Sequence, residues 1–305
     1  MNNSSCGLVV VQRNEGYLLW WNILYHLQLG FDRICVVDNN SDDSLTREII
    51  RKLEVFEKVT IIQDYSDVFD QAELANCGIN SILAGGDVNW IFSLDADEFL
   101  WLNTPLKLFL QSKFDANQLY CSVRWLNGIP SSCSKTSKSP LNVDYLSNDK
   151  FYYPSPERDW QHNGHFRKSF CYVHEYIEVV VGNHYFRKET NNHFFSKLEF
   201  CPFPLKENEA ILFHFESRDG AEKLSDKWRD LSNRQKDDLS PVNAPWWEKR
   251  ERMNEKLKHY DRKTTVSDFD TCFHPLWGTA IDPGRIILDN RISSALLTIQ
   301  KKFLP

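Results

Sequence analysis

Apolar and polar positions follow two alternating rhythms along the first 125 residues. Residues 8–12 form a short apolar, β-prone run, broken by Arg13, Asn14, Glu15 and Gly16. Over 17–29 the apolar positions Leu18, Trp21, Tyr25 and Leu29 fall three or four apart, the spacing of one helical face, and Gly30 is a natural C-terminal stop. Residues 34–37 predict a second buried strand, followed by the polar cluster 38–43, which signals a turn and a helix cap. Leu45, Ile49 and Leu53 mark the next helix, 59–62 a third strand, and a helix from about Asp70 ends at Gly85-Gly86. Residues 90–94 are a fourth strand and 119–125 another. Between them Thr104 and Pro105 have the character of an N-cap and a first helical residue.

Strands alternating with helices predict βαβ units and a mostly parallel sheet flanked by helices. Ligands of such sheets bind beyond the carboxyl ends of the strands. Arg13-Asn14-Glu15, Asp38-Asn39 and Asp95-Ala96-Asp97 each follow a strand directly, so all three clusters are expected on one edge. Further along, 127–150 is rich in Ser, Asn, Lys and Pro and reads as a loop or insertion. Residues 151–215 are aromatic with several His, and the pattern turns helical after Gly220, through Leu224, Trp228 and Leu231, then over 247–260 and 291–303.

Composition narrows the classes. The 305 residues are 42% hydrophobic and 26% charged, ordinary globular usage. A net charge of -6 argues against a nucleic-acid binder that works by neutralising phosphates. No uncharged apolar run reaches the length of a membrane span, and the polar start of the chain lacks the form of a signal peptide. The 8 Cys include no CxxC pair, so reduced thiols and a cytoplasmic setting are expected.

The sharpest chemical feature is 91–99, Ile-Phe-Ser-Leu-Asp-Ala-Asp-Glu-Phe. An apolar strand here delivers two carboxylates to an expected exposed end. Alternate residues of an extended chain point the same way, so Asp95 and Asp97 are expected to converge on one hard cation. Mg2+ or Mn2+ suits such a pair, because these ions accept one or two carboxylates and keep positions open for phosphate oxygens. Arg13 offers a planar donor fork for a phosphate or a base carbonyl. Asp38 can accept from a nucleobase imide or a ribose. Taken singly, each of these also fits plain turn or capping chemistry.

Taken together, the clusters resemble family 2-type glycosyltransferases of the GT-A fold. The likeness is to the subgroup whose first half carries an RNEG motif, a DN-x-S-x-D motif and an LDADEF motif. This chain has Arg13-Asn14-Glu15-Gly16, Trp21, His26, Leu29-Gly30, Asp32, Ile34, Val36, Asp38-Asn39, Ser41 and Asp43, then Trp90 with 94–99. The match is detailed over about 8–125. It continues weakly through Lys168-Ser169, Gly182-Asn183-His184, His214-Phe215, Ser217 and Lys227.

The resemblance implies an α/β GT-A domain. Its nucleotide-sugar half would span 1–125, its acceptor half 126–220 and a helical extension 221–305. It implies transfer of a hexose from a nucleotide sugar, UDP- or GDP-linked, to a hydroxyl of a glycan, lipid or protein, by an inverting course. Asp38 would contact the base, with Arg13, Asn14 and Glu15 lining the same pocket; Asp95 would meet the ribose and, with Asp97, the metal. His214 is the candidate third ligand, with His184 competing. Glu157, Asp159 and Glu175 are the candidate general bases, although the family's usual carboxylate has no clear counterpart. The C-terminal segment, with Ile299, Phe303 and Leu304 beside Lys301 and Lys302, offers a peripheral membrane contact, but docking on its own domain is the preferred expectation. Two other classes stay open: a phosphohydrolase of the haloacid dehalogenase type, which also follows a strand with D-x-D, and a nucleotide-sugar-binding protein without turnover.

Overall fold

A computed structural model describes residues 4–66, 69–128, 151–154, 167–173, 177–179, 186–188, 202–215, 287–288 and 291–303. In chain order the elements are β1 (Cys6–Gln12), α1 (Gly16–Leu29), β2 (Arg33–Asn39), α2 (Ser44–Leu53), β3 (Val59–Asp64), α3 (Gln71–Leu83), β4 (Trp90–Asp95), β5 (Glu98–Leu102), α4 (Leu106–Asp115) and β6 (Tyr120–Gly128). Then follow β7 (Phe151–Pro154), β8 (Arg167–Tyr172), β9 (Ile177–Val179), β10 (Phe186–Lys188), β11 (Phe203–Pro204), β12 (Ala210–His214), β13 (Ile287–Leu288) and α5 (Arg291–Phe303).

The chain divides into two compact units. The first comprises 1–66, 70–125 and 157–213. Its sheet centres on β1, which pairs in parallel with β2 on one side and β4 on the other, while β3 extends the parallel run beyond β2. Beyond β4 the direction reverses, because β8 pairs antiparallel with both β4 and β6. The expected α/β class, a Rossmann-like, largely parallel sheet flanked by helices, is the fold observed.

Both faces of the parallel strands are covered. Leu8, Val10, Ile34, Val36, Phe92 and Leu94 join one core with Leu19 and Ile23 of α1, Ile49 and Leu53 of α2, and Phe109 of α4. On the other face α3 lies close. A Cβ at Gly78 would come within 2.6 Å of Val9 Cγ1 and 3.0 Å of Val37 Cγ2, so only glycine permits this approach. Strands buried on both sides explain the unbroken apolar runs in the sequence.

Helix ends follow the expected chemistry. Gly30 closes α1 at φ 110°, Asp43 caps α2 by accepting from Thr46 N, and Asp70 caps α3 by accepting from Glu73 N. One boundary shifts. Pro105 was expected inside the helix, but its ψ of 136° makes it the cap, and α4 begins at Leu106.

In the second unit the end of β6 pairs antiparallel with β7, which pairs with β13. Helix α5 has the bounds expected from sequence, and its stripe Ile292, Leu296 and Ile299 is buried. The helices expected over 224–231 and 247–260 lie outside the described residues. Among the described residues no helix is long and apolar enough to cross a membrane. Cys6, Cys35, Cys77, Cys121 and Cys171 are free thiols, and all but Cys77 are buried.

Candidate active site at the strand tips

The parallel register brings the three clusters together as expected. Gln12, the last residue of β1, lies opposite Asp38 of β2, and Val11 lies opposite Asp95 of β4. Asp38 and Asp95 therefore flank the tip of β1, two strand spacings or roughly 10 Å apart along the backbone.

The first two loops are bound to each other. Asn14, at φ 55°, donates through Nδ2 to Asp42 Oδ1 at 2.7 Å, and its Oδ1 accepts from Asp42 N at 3.0 Å and Asp43 N at 3.3 Å. Asn14 N donates to Ser41 Oγ at 2.9 Å, and Gly16 N to Thr46 Oγ1 at 2.8 Å. Arg13 Nη1 donates to Asn39 O at 3.2 Å, and its other terminal nitrogen lies 3.7 Å from Asp42 Oδ2. Glu15 is the N-cap position of α1 but makes no side-chain cap.

Asp38 is 1% exposed. Its Oδ1 accepts from Gln12 Nε2 and, at 2.5 Å, from Ser41 Oγ; its Oδ2 accepts from Gln63 Nε2 at 2.5 Å. A buried carboxylate needs such donors to replace its lost hydration. Asp38 therefore organises the two loops from beneath. Gln12, Ser41 and Gln63 had not been singled out for this shell.

The acidic cluster departs from expectation in two respects. Asp95 ends β4, but Ala96 and Asp97 form a turn and Glu98 already starts β5. The two aspartates are not alternate residues of one extended strand. Nor is the end exposed, because Asp97 is 3% and Glu98 0% exposed. Asp95 keeps partial access, with 30% of its side chain exposed. Its Oδ1 accepts from Gln71 Nε2 at 2.8 Å.

Its Oδ2 accepts from Lys168 Nζ at 2.9 Å, and the same ammonium lies 3.4 Å from Glu98 Oε2. Lys168 comes from β8, opposite Val123 of β6, and lies over the Trp125 ring at 5.9 Å. Burial would push its pKa down, but Asp95 and Glu98 outweigh that and raise it, so the ammonium stays charged. Burial pushes the Glu98 carboxyl well above the usual range, and Asp95 and Asp97 add to the rise. Glu98 Oε2 also accepts from Asp95 N at 2.8 Å, closing the turn on itself.

Helix α1 holds this turn from behind. Asn22 Nδ2 donates to Glu98 O at 2.7 Å, and Tyr25 OH to Leu100 O at 2.8 Å. His26 Nδ1 lies 2.9 Å from Asn22 O, while Leu100 N donates to Nε2 at 3.4 Å, which assigns the proton to Nδ1. Burial lowers the His26 pKa to about 3, so the ring is neutral. Asp32 works at the opposite end of the sheet, accepting from Cys6 N at 2.9 Å and pairing with Lys107.

Asp95 and Asp97 are hard carboxylates, the donor type that suits a divalent ion which keeps phosphate and water among its ligands. Among the described residues, no group of three or more His, Cys, Asp or Glu side chains forms a metal site. His214 ends β12 and is buried. Glu157, Asp159, Glu175 and His184 lie outside the described residues.

No protein-family model matches the chain. A glycosyltransferase family 92 protein of Ricinus communis is 26% identical over 192 residues, 57% of this chain and 34% of that protein. The chain thus spans about a third of that relative's length. Among solved structures, a mannosyltransferase from Pyrobaculum calidifontis in complex with GDP-Man and Mn2+ aligns at 17% identity and a TM-score of 0.31, over 39% of this chain and 34% of that one. GalNAc-T7 with UDP, GalNAc and Mn2+ aligns at 14% identity and a TM-score of 0.31, over 40% of this chain and 23% of that one.

Proposed function

We propose that the protein is a metal-dependent glycosyltransferase that moves a hexose from a nucleoside-diphosphate sugar, UDP- or GDP-linked, to a hydroxyl of a glycan, lipid or protein. The observation that carries the reading is the register that sets Asp38 and Asp95 on either side of the β1 tip, at the carboxyl edge of parallel strands. The similarity to a family 92 glycosyltransferase supports it.

In this reading the loop pair around Asn14 and Asp42 forms the base end of the pocket, with Arg13 and Glu15 along it and Asp38 fixing its floor. Asp95, the partly accessible carboxylate, would meet the ribose and, with Asp97, would hold the metal. His214 is the candidate further ligand. A divalent ion at these carboxylates, Mn2+ or Mg2+, would supply positive charge to a diphosphate leaving group. The acceptor hydroxyl passes its proton to a carboxylate, for which Glu157, Asp159 and Glu175 are the candidates, and attack opposite the leaving group inverts the anomeric centre.

The test is a thermal-shift panel of UDP, GDP, CDP and dTDP with and without Mn2+, followed by donor-consumption assays. One diphosphate should stabilise the protein only with metal, and Asp97→Asn should abolish that shift and turnover together. Absence of a shift with every diphosphate defeats the proposal. Binding without turnover across a donor panel replaces it with a non-catalytic binding role.

A further inference from the structure

The acidic turn already contains a cation supplied by the chain. Asp95, Asp97 and Glu98 fall within four consecutive positions, and two of the three are buried almost completely. Such a cluster repels itself and forfeits hydration, so it needs compensation to fold. Lys168 provides it. Its side chain is 2% exposed, its Nζ lies 2.9 Å from Asp95 Oδ2 and 3.4 Å from Glu98 Oε2, and the Trp125 ring shields it. Lysine is costly to bury, and here the ammonium reaches the turn from a neighbouring strand rather than from solvent.

We infer that Lys168 is the resident counter-ion of the strand-tip carboxylates: it holds Asp95 and Glu98 in place before any metal binds, and its charge weakens the affinity of the turn for a divalent cation. This inference deepens the proposed function and rests on it for the identity of the metal site. Lys168 is a positioning residue, acting through Asp95. This one ammonium lowers the negative charge of the turn by one. Full metal affinity is then reached only when a diphosphate adds its own negative charge, which couples metal binding to donor binding.

The experiment measures Mn2+ binding to the protein without nucleotide, from loss of the free-Mn2+ electron paramagnetic resonance signal. Lys168→Gln removes the charge and keeps a hydrogen-bond donor; Lys168→Arg keeps the charge. Lys168→Gln should bind Mn2+ about tenfold or more tightly than the unmodified chain, since even water-like screening leaves that much repulsion between an ammonium and a divalent ion a few ångströms away. Lys168→Arg should bind like the unmodified chain. If Lys168→Gln folds only with Mn2+ present, the inference also stands, because the metal has then taken over the neutralising role. Equal or weaker Mn2+ binding by Lys168→Gln, or a fold lost whether or not Mn2+ is added while Lys168→Arg is intact, overturns it. The functional reading is tested separately: an unmodified chain that binds no nucleoside diphosphate defeats that reading, whereas unchanged Mn2+ affinity in a Lys168→Gln variant that still binds nucleotide defeats this inference alone.

Discussion

The side-chain amide of Asn22, on α1, donates to the backbone carbonyl of Glu98 across 2.7 Å. This bond helps tie the first helix to the turn that carries the acids. Asn22→Ala leaves a buried carbonyl unsatisfied, and we expect a loss of about 1–3 kcal/mol in urea unfolding. Metal-dependent nucleotide stabilisation should fall as well, because the turn loses its support. A variant that is destabilised but binds nucleotide normally would separate the two effects and remove Asn22 from the site's framework.

His26 makes stability depend on pH. In the folded protein its ring stays neutral down to about pH 3, whereas the unfolded ring takes up a proton below its ordinary value of 6.5. Unfolding therefore binds a proton across that window, and stability falls as pH falls. The slope due to this residue is about 1.4 kcal/mol per pH unit at its steepest. His26→Gln, which cannot take that charge, should show a shallower decline between pH 6 and 4 in chemical unfolding. Parallel curves would refute the assignment.

Gly78 tests the contact between α3 and the sheet. In an open helix, replacing glycine by alanine stabilises by about 0.5–1 kcal/mol. Here the new methyl would lie 2.6 Å from Val9 Cγ1. Gly78→Ala is expected to destabilise instead, by about 1–3 kcal/mol. A rise in melting temperature would show that the helix can move away freely.

Asn14 separates backbone strain from loop clamping. Its φ of 55° suits glycine, and its amide bonds Asp42 and Asp43. Asn14→Gly removes only the clamp, while Asn14→Ala also imposes the left-handed cost of about 1 kcal/mol. Alanine should therefore be the less stable variant by about that amount, and both should weaken nucleotide-induced thermal shifts. Equal stability of the two would place the strain elsewhere.

The framework of the first unit was legible because its signals are local. The three- and four-residue spacing of α1, the cap at Asp43 and the glycine stop at Gly30 each act within one turn of chain. Parallel topology then followed from alternation and set the three clusters on one edge. What stayed hidden is held by partners remote in sequence. Burial of Asp97 and Glu98 has no local signal, because its compensation is Lys168, some seventy positions later in an ordinary Arg-Lys-Ser-Phe-Cys-Tyr strand. Strand β5 was missed for the same reason, since a charged residue at a strand's first position reads as a loop. The shell of Asp38 was only partly legible: Ser41 belongs to the DN-x-S-x-D motif, but Gln12 and Gln63 are unremarkable polar residues until the register aligns them with Asp38.

The saturation of Asp38 has a consequence for ligand access. With both oxygens occupied by Gln12, Ser41 and Gln63, this acid offers nothing to a guest molecule unless a neighbour lets go. Under the proposed function, the choice of nucleobase would therefore be set by those three neighbours around the aspartate.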